Sequence, residues 1–385
     1  MGIKSSSMNK IIFVMALVLV GCQSSTPPIS PASNGLSSNG LIQPNHSDLI
    51  HKQLDVFPNR TEVSIALISE GQVQYYGVIR NKDILEPKEN KQAVFEIGSI
   101  SKVFTSTLLA SYVLEGKLSL DDYINDYLDF ELKDGIQISF QELSNHSSGL
   151  PRMPSNFMLG ALLNPSNPYK KYSEKKLKTY LTKKLALKYE KGKKSNYSNL
   201  GAGLISYTLS KFSGEDYQTM LQERIFRKFQ MNQSTTQRKQ VKQELVQGLD
   251  KKGKATSNWD LSALEGAGAI LSSTTDLTKF AIAHFDSTNQ ELALTRKLSL
   301  SDSTGMDLGL GWHIIKTKSG NRHYWHNGGT GGYRSSMALD IEKETAVIIL
   351  SNVSAFHDDS GNIDQLCFSL LESLEATNPK EESTN

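Results

Sequence analysis

The sequence predicts an α+β fold in which an antiparallel sheet, flanked by N- and C-terminal helices, carries a large and mostly helical inserted lobe. Three observations lead there. Residues 63–79 alternate around Glu70-Gly71, the pattern of a β-hairpin. Strand-like runs return only near the C-terminus, at 308–316, 322–326, 333–340 and 345–352, while the middle of the chain reads as helix and loop. Strands from both ends most simply complete one sheet, which makes the helical middle an insertion. A length of 385 residues suits one large domain or two interleaved lobes.

Taken in order, residues 1–22 have the layout of an export signal: basic Lys4 and Lys10, an apolar run from Ile11 to Val20, then Gly21-Cys22. A bilayer span needs roughly 20 apolar residues, and this run is about half that. Residues 23–45, rich in Ser, Pro, Asn and Gly, read as a flexible tether. The folded domain is expected over 46–375, with a sheet lobe at 46–104 and 262–375, a helical lobe at 105–261, and a disordered tail at 376–385. A helix is expected from Ser101 to Glu115, stopping before Gly116. Ser139 with Glu142 makes a capping box, and Ser173 can cap another helix. Leu308–Lys316 reads as one strand. The chain closes on an amphipathic helix with Ile363, Leu366, Cys367, Leu370, Leu371 and Leu374 on one face, Cys367 serving as a small core residue.

Composition narrows the function. A net charge of +2 gives no electrostatic case for a nucleic-acid partner. Two cysteines make no disulfide framework, and the eight histidines show no metal-ligand spacing, so neither a metal nor another cofactor is expected. The eleven lysines between 170 and 194 read as a solvated face rather than a polyanion site, and the three tryptophans as packing residues.

Three short motifs carry chemistry. In Ser99-Ile100-Ser101-Lys102 the hydroxyl and the amine share a helix face, so a partly desolvated lysine can take the serine proton. The spacing also occurs at Ser7 and Ser173, and by itself fits a cap serine with a surface lysine. Only Ser99 opens an apolar helix, and a nucleophile there gains from the helix dipole. In Tyr197-Ser198-Asn199 a phenol can exchange protons and a carboxamide can bind a substrate amide, although Tyr123-Ile124-Asn125 repeats the spacing by chance. His326-Asn327-Gly328-Gly329 ends a strand in glycines that leave its backbone open to a substrate, or serve only the turn.

In that order the three motifs resemble the active-site set of class C β-lactamases, low-molecular-weight penicillin-binding proteins and related esterases. The resemblance extends over roughly residues 60–355, through Phe95–Lys102, Gly116–Asp122, Leu143–Pro151, Gly266–Leu271 and His326–Ser335. It implies a β-lactamase/transpeptidase-like fold and a serine hydrolase. Ser99 would form an acyl-enzyme, and Lys102 and Tyr197 would share the proton transfers. Asn199, His326 and Gly328 would contact substrate, and the backbone N–H groups of Ser99 and Thr330 would form the oxyanion hole. His146, inside one of these blocks, is taken as structural. The class C enzymes carry Lys-Thr-Gly where this chain has His326-Asn327-Gly328. A histidine is mostly neutral near pH 7 and grips a carboxylate less firmly than lysine. β-Lactams, D-amino-acid peptides of peptidoglycan, and esters are the implied substrates; a non-turnover penicillin sensor is the alternative outside catalysis. Leu19-Val20-Gly21-Cys22 is similar to a bacterial lipobox, implying lipidation at Cys22 and a domain held on the membrane, the outer membrane in a Gram-negative cell because Gln23 follows the cysteine; the domain is expected to be a monomer.

Overall fold

The computed structural model describes residues 30–377 apart from 38, 39, 41, 302–304, 306, 318 and 319. The export signal, the lipobox cysteine and residues 378–385 lie outside the described residues.

The hairpin read from the sequence is present as β2 (Glu62–Ser69) and β3 (Gln72–Asn81), with Glu70 and Gly71 both at positive φ in the turn. A ten-stranded sheet is built around it, in the order β1-β4-β3-β2-β12-β11-β10-β9-β8-β7. Its remaining members are β1 (Ser33–Asn34), β4 (Ile84–Pro87), β7 (Leu300–Ser301), β8 (Asp307–Leu308), β9 (His313–Lys316), β10 (Arg322–Gly329), β11 (Arg334–Asp340) and β12 (Thr345–Ser351). A separate pair, β5 (Phe95–Glu96) and β6 (Leu271–Ser272), holds the segment before Ser99. The two ends of the chain meet where β2 pairs antiparallel with β12, as the sequence predicts.

Both faces of the sheet are covered. On β12, Ala346, Ile348 and Leu350 face one core, while Val347 and Ile349 face the other. The second core is closed by α1 (Pro44–Leu54) and α10 (Asn362–Thr377), and all six residues of the stripe read on α10 are buried. Against the first core lie α2 (Ser101–Leu114) and the helical lobe. That lobe holds α3 (Phe140–Ser144), α4 (Met158–Leu162), α5 (Glu174–Lys183), α6 (Asn199–Ser213) and α7 (Tyr217–Leu221). Short helices α8 (Thr274–Ala283) and α9 (Gln290–Arg296) return the chain to the sheet. Helix α2 is buried nearly all round, the expected state of a helix without a polar face.

Three expectations need correction. Residues from Ser30 onward are not tether: Ala32, Leu36 and Ile42 are buried, β1 pairs in parallel with β4, and the Ser30 carbonyl accepts from Arg80. The predicted strand over 308–316 is two strands, because Gly311 takes positive φ and the Gly309 N–H closes a turn on the Trp312 carbonyl. Ser139 makes the full capping box with Glu142, but Ser173 sits at the N-cap of α5 without a side-chain cap bond.

Candidate active site

Ser99 lies in a 3₁₀ turn, Gly98–Ile100, that runs into α2. Residues three apart eclipse in such a turn, so Lys102 rises directly beside it. Its Nζ is 2.9 Å from Ser99 Oγ and donates to the Ala267 carbonyl at 2.8 Å. Lys102 is buried, and its amine is held well below the ordinary lysine value, first by desolvation and then by the Arg152 cation. A neutral amine at this distance can give one N–H to Ala267 and accept the serine proton on its lone pair.

Ser198 explains the placement of the second motif. As N-cap of α6 it accepts from the Gly201 N–H at 2.9 Å and donates to the Pro151 carbonyl at 2.8 Å, which sets Tyr197 just before the helix and Asn199 at its first turn. The Tyr197 ring centroid stands 4.8 Å from Lys102 Nζ. Burial pushes its phenol up, against a smaller downward pull from the Ser99 hydroxyl, so Tyr197 keeps its proton at neutral pH. Asn199 Nδ2 donates to the Tyr169 hydroxyl at 2.9 Å, while its buried Oδ1 has no partner among the described residues.

The third motif is the end of β10. Gly98 has φ +52°, and a Cβ on it would stand 2.5 Å from the Gly329 nitrogen; a Cβ on Gly328 would stand 1.9 Å from the Ile97 carbonyl oxygen. Glycine is therefore required on both sides of the contact that brings β10 against the serine. His326 is buried, with Nδ1 2.6 Å from the Asn327 carbonyl and Nε2 without a partner among the described residues. Desolvation, then neighbouring His313 and Lys102, hold it well below the usual imidazole value. It is neutral at pH 7, as the sequence argument expects.

Thr330 is a correction. Its N–H donates to the Tyr333 carbonyl at 2.9 Å, its carbonyl accepts from Ala355, and its hydroxyl contacts buried Glu96. It ties the β10–β11 turn together and has no free N–H. In an antiparallel ladder, hydrogen-bonded and non-bonded pairs alternate. Counting back from Thr330–Tyr333, the Gly329–Arg334 pair is non-bonded, so the Gly329 N–H points away from β11 toward the serine side. The N–H groups of Ser99 and Gly329, not Thr330, are the candidate oxyanion donors.

Four neighbours were not singled out as site residues. His146, at φ +61°, accepts the Ser198 N–H on Nδ1 at 3.3 Å and lies 4.6 Å ring to ring from Tyr197, a positioning role in keeping with its structural reading. His313 lies 5.4 Å from His326 and is lowered to about 4 by burial and by Lys102. Arg152 places its guanidinium 5.0 Å from the Tyr197 ring centroid. Trp259, read as packing, lies tilted against Tyr169 with ring centroids 5.3 Å apart, and the Tyr169 hydroxyl accepts from Asn199. None of these has a local sequence pattern that announces it, apart from the Leu143–Pro151 block that contains His146 and ends one residue before Arg152. A concavity of about 990 Å³, lined by Arg60, Arg80, Asp83 and His357 among others, contains no motif residue, so chemistry rather than volume marks the site. Among the described residues one trio has ligand-like spacing, His323, Asp340 and Glu375. It lies at the opposite end of β10, where the His323 ring and the Lys343 amine both contact the Glu375 carboxylate.

The family model described as Beta-lactamase matches residues 53–366. The chain belongs to the β-lactamase family, the serine β-lactamase and D-alanyl-D-alanine carboxypeptidase group of hydrolases. It is 25% identical over 350 residues to the D-alanyl-D-alanine-carboxypeptidase/endopeptidase AmpH of Escherichia coli K12, covering 83% of this chain and 88% of that one. It is 26% identical to a β-lactamase of Pseudomonas fluorescens, over 66% of this chain and 69% of the relative. Among solved structures it resembles the octameric penicillin-binding protein homologue of Pyrococcus abyssi, with TM-score 0.72 at 22% identity over 88% of this chain and 78% of that one. The β-lactamase/D-alanine carboxypeptidase of Pseudomonas syringae matches with TM-score 0.70 at 20% identity, over 85% and 99%. These structural likenesses establish the fold.

Proposed function

We propose that this protein is a cell-envelope serine hydrolase that opens amide bonds of D-amino-acid peptides of peptidoglycan, and of β-lactams, through an acyl-enzyme on Ser99. The observation that carries the reading is the 2.9 Å approach of a buried, deprotonated-leaning Lys102 to Ser99 Oγ. Lys102 accepts the serine proton as Oγ attacks the carbonyl carbon. The oxyanion is received by the N–H groups of Ser99 and Gly329. Tyr197, which burial keeps protonated, supplies the proton on which the leaving amine departs. Water then attacks the ester, and its proton returns through the same pair. Asn199 holds the acyl amide. A neutral His326 supports peptidase or penicillin-binding behaviour over efficient β-lactamase action, and the same feature favours an esterase or D-aminopeptidase as the second reading. The Leu19–Cys22 sequence supports export and lipid anchoring at Cys22.

The test is labelling of the full chain with a fluorescent penicillin, beside Ser99→Ala, followed by intact mass. A Ser99-dependent adduct that persists supports the peptidase-like reading; one lost rapidly makes the protein a β-lactamase. An adduct with no turnover of any substrate makes it a sensor. Ester hydrolysis without an adduct moves it to the esterases, and no Ser99-dependent reaction refutes catalysis. Cys22→Ser abolishing metabolic labelling by palmitate tests the anchor.

A further inference from the structure

We propose that Arg152 forms a carboxylate-binding subsite beside Tyr197 and makes anionic substrates the preferred ones; this rests on the serine-hydrolase reading above. The argument starts from a missing charge. With His326 neutral, the site end of β10, His326–Gly329, offers no cation to a substrate anion. Lys102 is buried and committed to Ser99 and Ala267. Arg334, the other cation acting on Tyr197, is paired with Asp364, which also accepts from Asn327. Arg152 alone of these cations is exposed, and among the described residues its side chain has neither a carboxylate partner nor a hydrogen bond.

Its position is fixed by the site itself. The Arg152 carbonyl accepts the N–H groups of Asn199 at 3.0 Å and Leu200 at 3.2 Å, and the Pro151 carbonyl accepts the Ser198 hydroxyl. The backbone at Arg152 is thus stitched to the Tyr197–Asn199 turn, and the guanidinium rests at 5.0 Å from the Tyr197 ring centroid. A cation held over an aromatic ring has lost much of its freedom before any ligand arrives, and its planar fork of donors suits bidentate contact with a carboxylate. The ligand chemistry is therefore a carboxylate within reach of Tyr197, carried either on the acyl side, toward Asn199, or on the leaving group.

Two pairs of depsipeptide substrates distinguish these sources, one pair exchanging carboxylate for carboxamide on the acyl side chain, the other on the leaving group. The wild-type chain is expected to prefer the carboxylate in at least one pair by about tenfold in kcat/KM, the low end for a hydrogen bond to a charged group. Arg152→Met should abolish that preference and Arg152→Lys should retain part of it. Because Arg152 also depresses the Lys102 amine, its removal should slow every substrate at low pH and move the acidic limb of the pH profile upward. If Arg152→Met shows only that uniform change, with the carboxylate-to-carboxamide ratio intact in both pairs, the subsite is refuted while the hydrolase stands. If no substrate is turned over in a Ser99-dependent way, the hydrolase reading falls and the subsite with it.

Discussion

Replacing Gly328 by alanine tests whether close approach of two backbones builds the site. The new Cβ would lie 1.9 Å from the Ile97 carbonyl oxygen and 2.4 Å from Ser335 Oγ, inside the 3.0 Å that real Cβ atoms keep. The same Ile97 oxygen accepts the Ser335 hydroxyl at 2.8 Å, so neither neighbour can give way without losing that bond. The strand must then retreat from the serine turn by about 1 Å, and a misplacement of about 1 Å in a catalytic group costs on the order of 100-fold in rate. Loss of one oxyanion donor costs on the order of 10²–10³-fold, so the expected fall in the Ser99 acylation rate is about 100-fold, or roughly 2.7 kcal/mol of barrier. Overpacking should cost about 1–3 kcal/mol of stability, which most domains survive. The assay is the second-order rate of labelling by a fluorescent penicillin or, if none forms, by an activated ester, with folding checked by circular dichroism. Gly361→Ala, where a Cβ meets nothing within 4 Å, is the control. Acylation by Gly328→Ala within a factor of two of wild type would refute the argument that this contact positions Gly329.

Three more outcomes follow from the same geometry. Lys102→Met should reduce acylation by about 10²–10⁴-fold while leaving thermal stability equal or higher, because it replaces a desolvated amine with a packed apolar chain; a clear loss of Tm would contradict that burial argument. Glu265 is pushed up to about 7, first by burial and then by Asp216, so the native state holds a proton that the unfolded chain releases. Stability is then full below about pH 4.5 and declines as pH rises toward 7; Glu265→Gln should gain up to about 3 kcal/mol in urea melts at pH 8 and nothing near pH 4. Ser139→Ala should cost about 1 kcal/mol, whereas Ser173→Ala, with no cap bond to lose, should cost a few tenths; equal costs would show the capping box to be unimportant.

The chemistry was legible because it sits in short-range patterns. Ser99 and Lys102 share one turn, Ser198 caps a helix with one functional neighbour just before it and the other in its first turn, and the glycines of β10 mark a backbone that must be approached. The hairpin at 62–81 and the stripe on α10 were legible for the same reason, since their periods are local. What failed was averaging over composition. The Ser- and Pro-rich stretch before His46 hides Ala32, Leu36 and Ile42, three separated residues that fill the core under α1 and α10. Thr330 failed because a motif offset cannot say which way an N–H points, and strand alternation can. Arg152 and His313 lack any motif of their own, and only folding brings one over Tyr197 and the other beside His326.

The electrostatics of the site follow from burial more than from charge pairing. His146 and His326 are held well below their usual range and His313 at about 4, each chiefly by loss of water. The same loss of water acts on Lys102 and, in the opposite sense, on Tyr197. Desolvation favours the neutral form of every group, and for an amine the neutral form is the base while for a phenol it is the acid. One dry environment therefore prepares both partners that acyl transfer needs, without a carboxylate to assist either. A lysine in place of His326 would put a second amine into that environment, and one of the two would have to carry charge. With the imidazole the inner site stays uncharged, and the cation that meets substrate stands outside it, on Arg152, where water still solvates it.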